Sequence, residues 1–182
     1  CWAHARRKLF EVSKSGITPL ADQGLQLISQ LYGIEKDLRG QSAEERLVGR
    51  RLKSDPVIQA LKTWLDQTRA RVGAKSPLGQ ACKYMAKHWD GLCLFLSDGR
   101  IELDNNTVER TIRPIALNRK NALFAGHDEG AQNWAVIASL IETCKLNSVD
   151  PFAYLSHSLK ALVQSKPTDL QPLMPWNFQI QS

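Results

Sequence analysis

The residues best suited to chemistry lie between Asp98 and Gly126, in the run DGRIELDNNTVERTIRPIALNRKNALFAG. Asp98-Gly99 reads as a turn, and Ile101 and Leu103 alternate with polar neighbours over a short extended piece. Asp104 or Asn105 then suits an N-cap, opening a short helix that Pro114 should interrupt or kink. On that helix Asn105, Asn106, Glu109 and Arg113 are related by steps of three or four and share one face, with Arg110 beside it. So many polar residues at close spacing are more than a core needs, which suggests a functional face. Glu109 near a helix N-terminus also complements the macrodipole, and on these residues alone both readings stand. Arg119, Lys120 and Asn121 follow, then the apolar piece Ala122 to Gly126.

A second cationic group, Arg6, Arg7 and Lys8, sits in the opening stretch CWAHARRKLFEV. Trp2, Ala5, Leu9 and Val12 fall at helical spacing there, so the three cations line the wet face of a short amphipathic helix. They are either solvated charges or phosphate contacts.

The elements that must position these groups are helices. After a Ser/Gly/Pro-bearing linker, Leu27, Leu31, Ile34 and Leu38 mark one helical stripe that Gly40 should end. Ala43 to Lys53 reads as a charged helix with a solvated face of Glu44, Glu45, Arg46, Arg50 and Arg51. Asp55-Pro56 signals a fresh helix start, with Ile58, Leu61, Leu65 and Val72 as its seam and Gly73 as its end. Ser76-Pro77 repeats that signal before a long helix with Leu78, Cys82, Met85, Trp89, Leu92 and Leu96 on one face. Residues 20–96 thus read as antiparallel helices with short connections, with Trp64 and Trp89 as core or interface anchors. Further on, Gly130 to Asn147 should bury Ala131, Trp134, Ala135, Ala138 and Ile141. Asp150-Pro151 should start a last helix along Phe152, Leu155, Leu159 and Leu162, and the proline-bearing tail from Pro167 should run extended over the surface.

A chain of 182 residues suits one domain, with room for an insertion. Its net charge of +6 favours a polyanionic partner. Residues 121–182 carry three lysines against five acids, so residues 1–120 hold +8 and any nucleic-acid face belongs mainly there. Cys1, Cys82, Cys93 and Cys144 show no paired spacing, which fits a reducing cytoplasm rather than a disulfide framework. Cys1 and His4 have the spacing of half a zinc site, but no second close pair follows, and plain packing is the simpler reading. No apolar run reaches membrane-spanning length, no secretory leader opens the chain, and no Gly-rich phosphate loop or nucleophile elbow is present. The first residue is Cys1 rather than Met, so the chain reads as a piece with something upstream.

The segments CWAHARRKLF, SPLGQACKYMAKHWDGL, DGRIELDNNTVERTIRPIALNRKNALFAGHDEG, SLIETCKLNSVDPFAYL and PLMPWNF run from end to end of the chain. Together, and above all in the D-N-N-x-x-E-R block with R-K-N following, they resemble the C-terminal part of a bacterial insertion-sequence 66 family transposase. The resemblance implies a DDE-type DNA transposase with an RNase-H-like core, in which three carboxylates hold two Mg²⁺ (or Mn²⁺) ions for phosphodiester cleavage and strand transfer. Glu109 falls on the third carboxylate, and Asp104, Asn105 and Asn106 support it. Arg6, Arg7, Lys8, Arg110, Arg113, Arg119 and Lys120 would hold DNA phosphates.

The fold implied is mainly α: a helical insertion plus the C-terminal helices of an incomplete RNase-H-like core. Residues 1–12 would end the core before the insertion, 13–97 form the insertion, 98–147 carry the third carboxylate, and 148–182 make the last helix and tail. In the family the first two aspartates precede the CWAHARRK segment, and Asp98, Glu102 and Asp104 do not match them. The expectation is a fragment that is inactive alone and binds no metal tightly. Its expected partners are insertion-sequence ends and target DNA, the N-terminal part of the transposase, and a second copy; no membrane is expected. A non-catalytic DNA-binding or assembly module is the alternative, and a helical oligomerisation domain with Trp64 or Trp89 in its interface is a third reading.

Overall fold

The structure, a computed structural model, describes residues 1–16, 18–118 and 126–178. It is mainly α, as expected, and no strand occurs among the described residues. The chain divides into two compact units, Cys1–Asn106 and Thr107–Ser182.

The first unit is a ring of four helices, in which each helix packs on the next and α4 closes back on α1. Helix α1 (Trp2–Lys14) buries Trp2, Ala5, Leu9 and Val12, the stripe its sequence predicts. In α2 (Pro19–Asp37) the buried residues are Ala21, Gly24, Ile28 and Leu31; of the expected stripe Leu31 and, just past the helix, Leu38 are buried, while the stripe's rotation leaves Leu27 and Ile34 half-buried on its flank. Gly24 explains the rotation. A Cβ there would stand 2.5 Å from the Trp64 ring, so glycine at this position lets the indole lie against the α2 backbone.

Helix α3 (Ala43–Arg71) corrects the expectation of two separate helices, because it runs unbroken through Pro56. Ser42 and Glu45 form a reciprocal capping box at its start. The proline removes one backbone donor, which would have paired with the carbonyl of Leu52. Leu52 is 73% exposed, where water can serve that carbonyl. Against this local cost stands one continuous buried stripe: Arg50, Ser54, Ile58, Leu61, Leu65 and Thr68. Packing along the whole stripe outweighs a single lost hydrogen bond. The solvated face predicted for the charged half is also corrected, since Arg50 is fully buried.

Ser76 caps α4 (Pro77–Lys87) through the Gly79 N–H, as expected. The long helix predicted from here to Leu96 is broken, however. Backbone geometry departs from helical at His88, and a short α5 (Trp89–Cys93) leads into a 3-10 turn at Leu94–Leu96. The break turns Trp89 edge-on to Trp2 at 6.1 Å between ring centroids, while the Trp2 indole N–H donates to the Leu92 carbonyl at 2.7 Å. Trp64 likewise donates to the Leu20 carbonyl at 2.9 Å. Both tryptophans that the sequence singled out serve this unit's own packing.

After the break the chain passes a turn at Asp98–Ile101, where the Ile101 N–H donates to the Asp98 carbonyl at 3.1 Å. The extended piece predicted for Ile101 to Leu103 is therefore a turn followed by an irregular segment. A lone strand has no ladder partner, and the Leu103 carbonyl instead accepts the Trp2 N–H at 3.4 Å. Gly99 is buried with its Cα so close to α3 that a Cβ would lie 1.7 Å from the Ala43 carbonyl oxygen.

Helix α6 (Asn106–Asn118) begins at the boundary and continues through Pro114, which neither ends it nor splits it. In the second unit His127 caps α7 (Asp128–Leu146) by accepting the Gly130 N–H, and Asp150 caps α8 (Pro151–Ser165) by accepting the Ala153 N–H. The predicted buried faces are not the observed ones. Ala131, Trp134 and Ala135 are exposed on α7, where Cys144 is buried; Phe152 and Leu159 are exposed on α8, where Tyr154 and Ser158 are buried. The tail is corrected too. It folds back through turns at Gln171–Leu173 and Pro175–Asn177, the second packed on α7. The Tyr154 hydroxyl donates to the Leu173 carbonyl at 2.8 Å, and Phe178 meets the rings of Tyr154 and His157 edge-on. Three anchors hold a segment whose prolines alone suggested none.

Candidate active-site helix and basic groove

Helix α6 carries Glu109 in its first turn. At about 100° per residue, Asn106, Glu109 and Arg113 fall within roughly 60° of arc, with Arg110 at one edge. Val108, Ile112 and Ile115 occupy the other side. None of these residues is buried. The Arg110 guanidinium donates to the Thr107 hydroxyl at 3.3 Å. The polar face expected from the spacing therefore exists, with a carboxylate and two guanidinium groups on an accessible surface.

The neighbouring acids in the sequence are engaged in the first unit. Asp98 pairs with Arg100 at 2.6 Å, and that guanidinium together with the Arg100 backbone N–H pulls its carboxyl down to about 2. Glu102 pairs with Arg46 at 2.9 Å. Asp104 accepts the Tyr32 hydroxyl at 2.9 Å, the Asn106 N–H at 3.0 Å and the Asn106 side-chain amide at 2.9 Å. Burial, then the adjoining Asp104 carboxylate, raises the Tyr32 phenol well above its usual range, so Tyr32 stays a donor at every physiological pH. Asp104 and Asn106 thus form a turn pinned to α2, while Asn105 is exposed beside it.

The α1 cations divide. Arg6 and Arg7 line a groove of about 540 Å³ with Ala3, Phe10, Ser29, Tyr32 and Asn106. Lys8 points elsewhere, with its ammonium 5.1 Å from the Tyr84 ring centroid on α4. Cys1 Sγ and His4 Nδ1 are 3.1 Å apart at the start of α1. Arg119 and Lys120 lie outside the described residues.

Sequence reasoning passed over Tyr32 and Phe10 in this groove and Arg50 buried on α3. Arg50 sets its guanidinium on Glu35 through two bonds of 2.7 Å and on the carbonyls of Phe95 and Asp98 at 2.9 and 3.2 Å. The available signal was its register, four residues before Ser54 and eight before Ile58 on the buried stripe of α3. Among the described residues no helix is long and apolar enough to cross a membrane.

Comparison with known proteins agrees with these motifs. Residues 1–133 match the Transposase IS66 family, and residues 139–176 match the IS66 C-terminal element. Two uncharacterized proteins of Sinorhizobium fredii (strain NBRC 101917 / NGR234) are similar over 98% of this chain: y4jD at 42% identity and y4qI at 39%. The matched regions are 35% and 33% of those relatives, so the chain spans about a third of their length. No solved structure matches it. With the family pattern covering residues 1–133 and its C-terminal element following in order, the chain belongs to the IS66 family of transposases.

Proposed function

We propose that these residues form the third-carboxylate helix, the helical insertion and the C-terminal element of a DDE-type DNA transposase with an RNase-H-like core. The observation that carries this reading is the accessible polar face of α6, where Glu109 shares an arc with Arg113 in a chain of the IS66 family. A carboxylate is the ligand a hard divalent cation prefers, and guanidinium groups beside it suit a phosphodiester.

The residues described here do not by themselves fit a two-metal centre of this type. Such a centre needs several carboxylate oxygens, whereas Asp98, Glu102 and Asp104 are committed to Arg100, Arg46 and Tyr32. Glu109 supplies one ligand for Mg²⁺ or Mn²⁺, and two further aspartates come from elsewhere in a polypeptide of the relatives' length. On this reading the 182 residues alone do not transfer DNA strands, and Glu109 works only in the assembled enzyme. The DNA partner is the insertion-sequence end and its target.

The groove bearing Arg6 and Arg7 favours a second reading, a DNA-binding or assembly module without catalysis. One experiment separates the two. In a full-length family member carrying this segment, Glu109→Gln abolishes Mg²⁺-dependent cleavage while end binding stays intact. Normal cleavage by that variant removes Glu109 from the site and leaves the binding-module reading.

A further inference from the structure

Helix α1 buries all but one of its large apolar side chains. Trp2, Ala5 and Leu9 are fully enclosed and Val12 nearly so, yet the Phe10 ring is 50% exposed. It stands in the groove between α1 and α2, on the same wall as Arg6 and Arg7. Leaving an aromatic ring half in water forgoes much of its burial energy. Its setting in one groove with two guanidinium groups is that of a stacking platform beside a phosphate clamp.

The electrostatics of the groove favour an anion. Among the described residues neither arginine has a carboxylate partner within ion-pair distance, and both are exposed. Asp104, bonded to the groove residues Tyr32 and Asn106, already accepts three hydrogen bonds from them. A volume of about 540 Å³ suits a small ligand rather than a double helix. A base paired inside a duplex cannot offer its face to a ring, because its neighbours in the stack cover it.

We propose that this groove holds one unpaired nucleotide of the DNA, its phosphate on Arg6 and Arg7 and its base on the Phe10 ring. The proposal rests on the DNA-transposase reading and specifies which form of DNA this part of the chain takes. Stacking accepts any base, since every base has a π-face, so the groove reads strand separation rather than sequence. With half of its surface in water, Phe10 is removed at less cost to the packing of α1 than the enclosed Trp2 or Leu9.

The test uses the 182-residue chain and two labelled DNAs, a short blunt duplex and the same duplex with an unpaired 3′ extension, compared by fluorescence anisotropy at several salt concentrations. The wild-type chain binds the extended duplex more tightly. Phe10→Ala lowers affinity for the extended duplex roughly tenfold and leaves blunt-duplex binding unchanged, whereas Phe10→Tyr keeps the preference. Arg6→Gln weakens both and flattens the salt dependence. Equal wild-type affinity for the two DNAs, or a Phe10→Ala chain with an unaltered circular dichroism spectrum that keeps its preference, overturns the inference while leaving the transposase reading in place. Equal loss on both DNAs overturns it as well. Failure of the wild-type chain to bind either DNA removes the inference and counts against DNA binding by this segment altogether.

Discussion

The Arg50 guanidinium grips both carboxylate oxygens of Glu35 at 2.7 Å, from a position fully shielded from solvent. Two further bonds, to the Phe95 and Asp98 carbonyls, bring the end of the 3-10 turn and the loop before α6 onto the same side chain. One residue thus ties α2, α3 and the 94–98 segment together. Arg50→Met leaves the two carbonyls without this donor and the carboxylate with only its longer 3.5 Å contact to Arg46, and costs about 3 kcal/mol or more. The double variant Arg50→Met/Glu35→Leu recovers much of that loss, since replacing a buried pair by apolar residues is far cheaper than halving it. Urea unfolding of the wild type, both single variants and the double variant measures this. An additive cycle would show that the pair is not coupled.

Thr68 lies on the same stripe of α3, is 1% exposed, and its hydroxyl has no hydrogen-bond partner among the described residues. An enclosed hydroxyl without a partner carries its desolvation cost uncompensated. Thr68→Val keeps the branched shape and removes that cost, so stability rises by up to about 1 kcal/mol. A drop in the urea midpoint would mean that the hydroxyl finds a partner in solution.

Asp98 gives a pH dependence of known sign. Arg100 holds its carboxyl at about 2 against an ordinary value of 3.8, so the folded form binds its proton less readily than the unfolded chain does. Its stabilising contribution is therefore complete above about pH 4 and disappears as pH falls through about 2. The difference in melting temperature between wild type and Asp98→Asn accordingly narrows over that interval. A constant difference from pH 5 to pH 2 would contradict the assignment.

Arg113 is placed to meet a phosphate if the polar face of α6 contacts DNA. Arg113→Ala then weakens DNA binding in the full-length enzyme and lowers the salt slope by about one phosphate contact. An unchanged slope makes it a structural companion of Glu109 instead.

What could be read in advance depended on how far each rule reaches along the chain. The α1 stripe was legible because Trp2, Ala5, Leu9 and Val12 keep one spacing without interruption. The caps at Ser42, Ser76 and Asp150 are contacts within three residues, although at Ser42 the sequence suggested only a helix start. Pro56 misled because a proline rule sees one hydrogen bond, while a helix with a buried stripe answers to the packing of its whole length. For α7 and α8, an apolar pattern shows which face gains from cover but not which residues cover it, and Trp134 and Phe152 remain exposed. At the candidate site the polar face of α6 followed from spacing alone. The groove did not, since Phe10, Tyr32 and Arg6 meet only once α1 lies against α2. Arg50 was hidden by its company: among five charges in eight residues, nothing local separates the buried one from the wet ones.

The near-contact between Gly99 and Ala43 bears on how this segment can change over generations. Any side chain at residue 99 would press on main-chain atoms at the head of α3, which have no rotamer through which to yield. A lineage can therefore vary the length or composition of the loop on either side only while that one codon stays glycine. Random mutagenesis scored for soluble expression should return position 99 empty, with tolerated changes beginning at Arg100, whose side chain reaches open water.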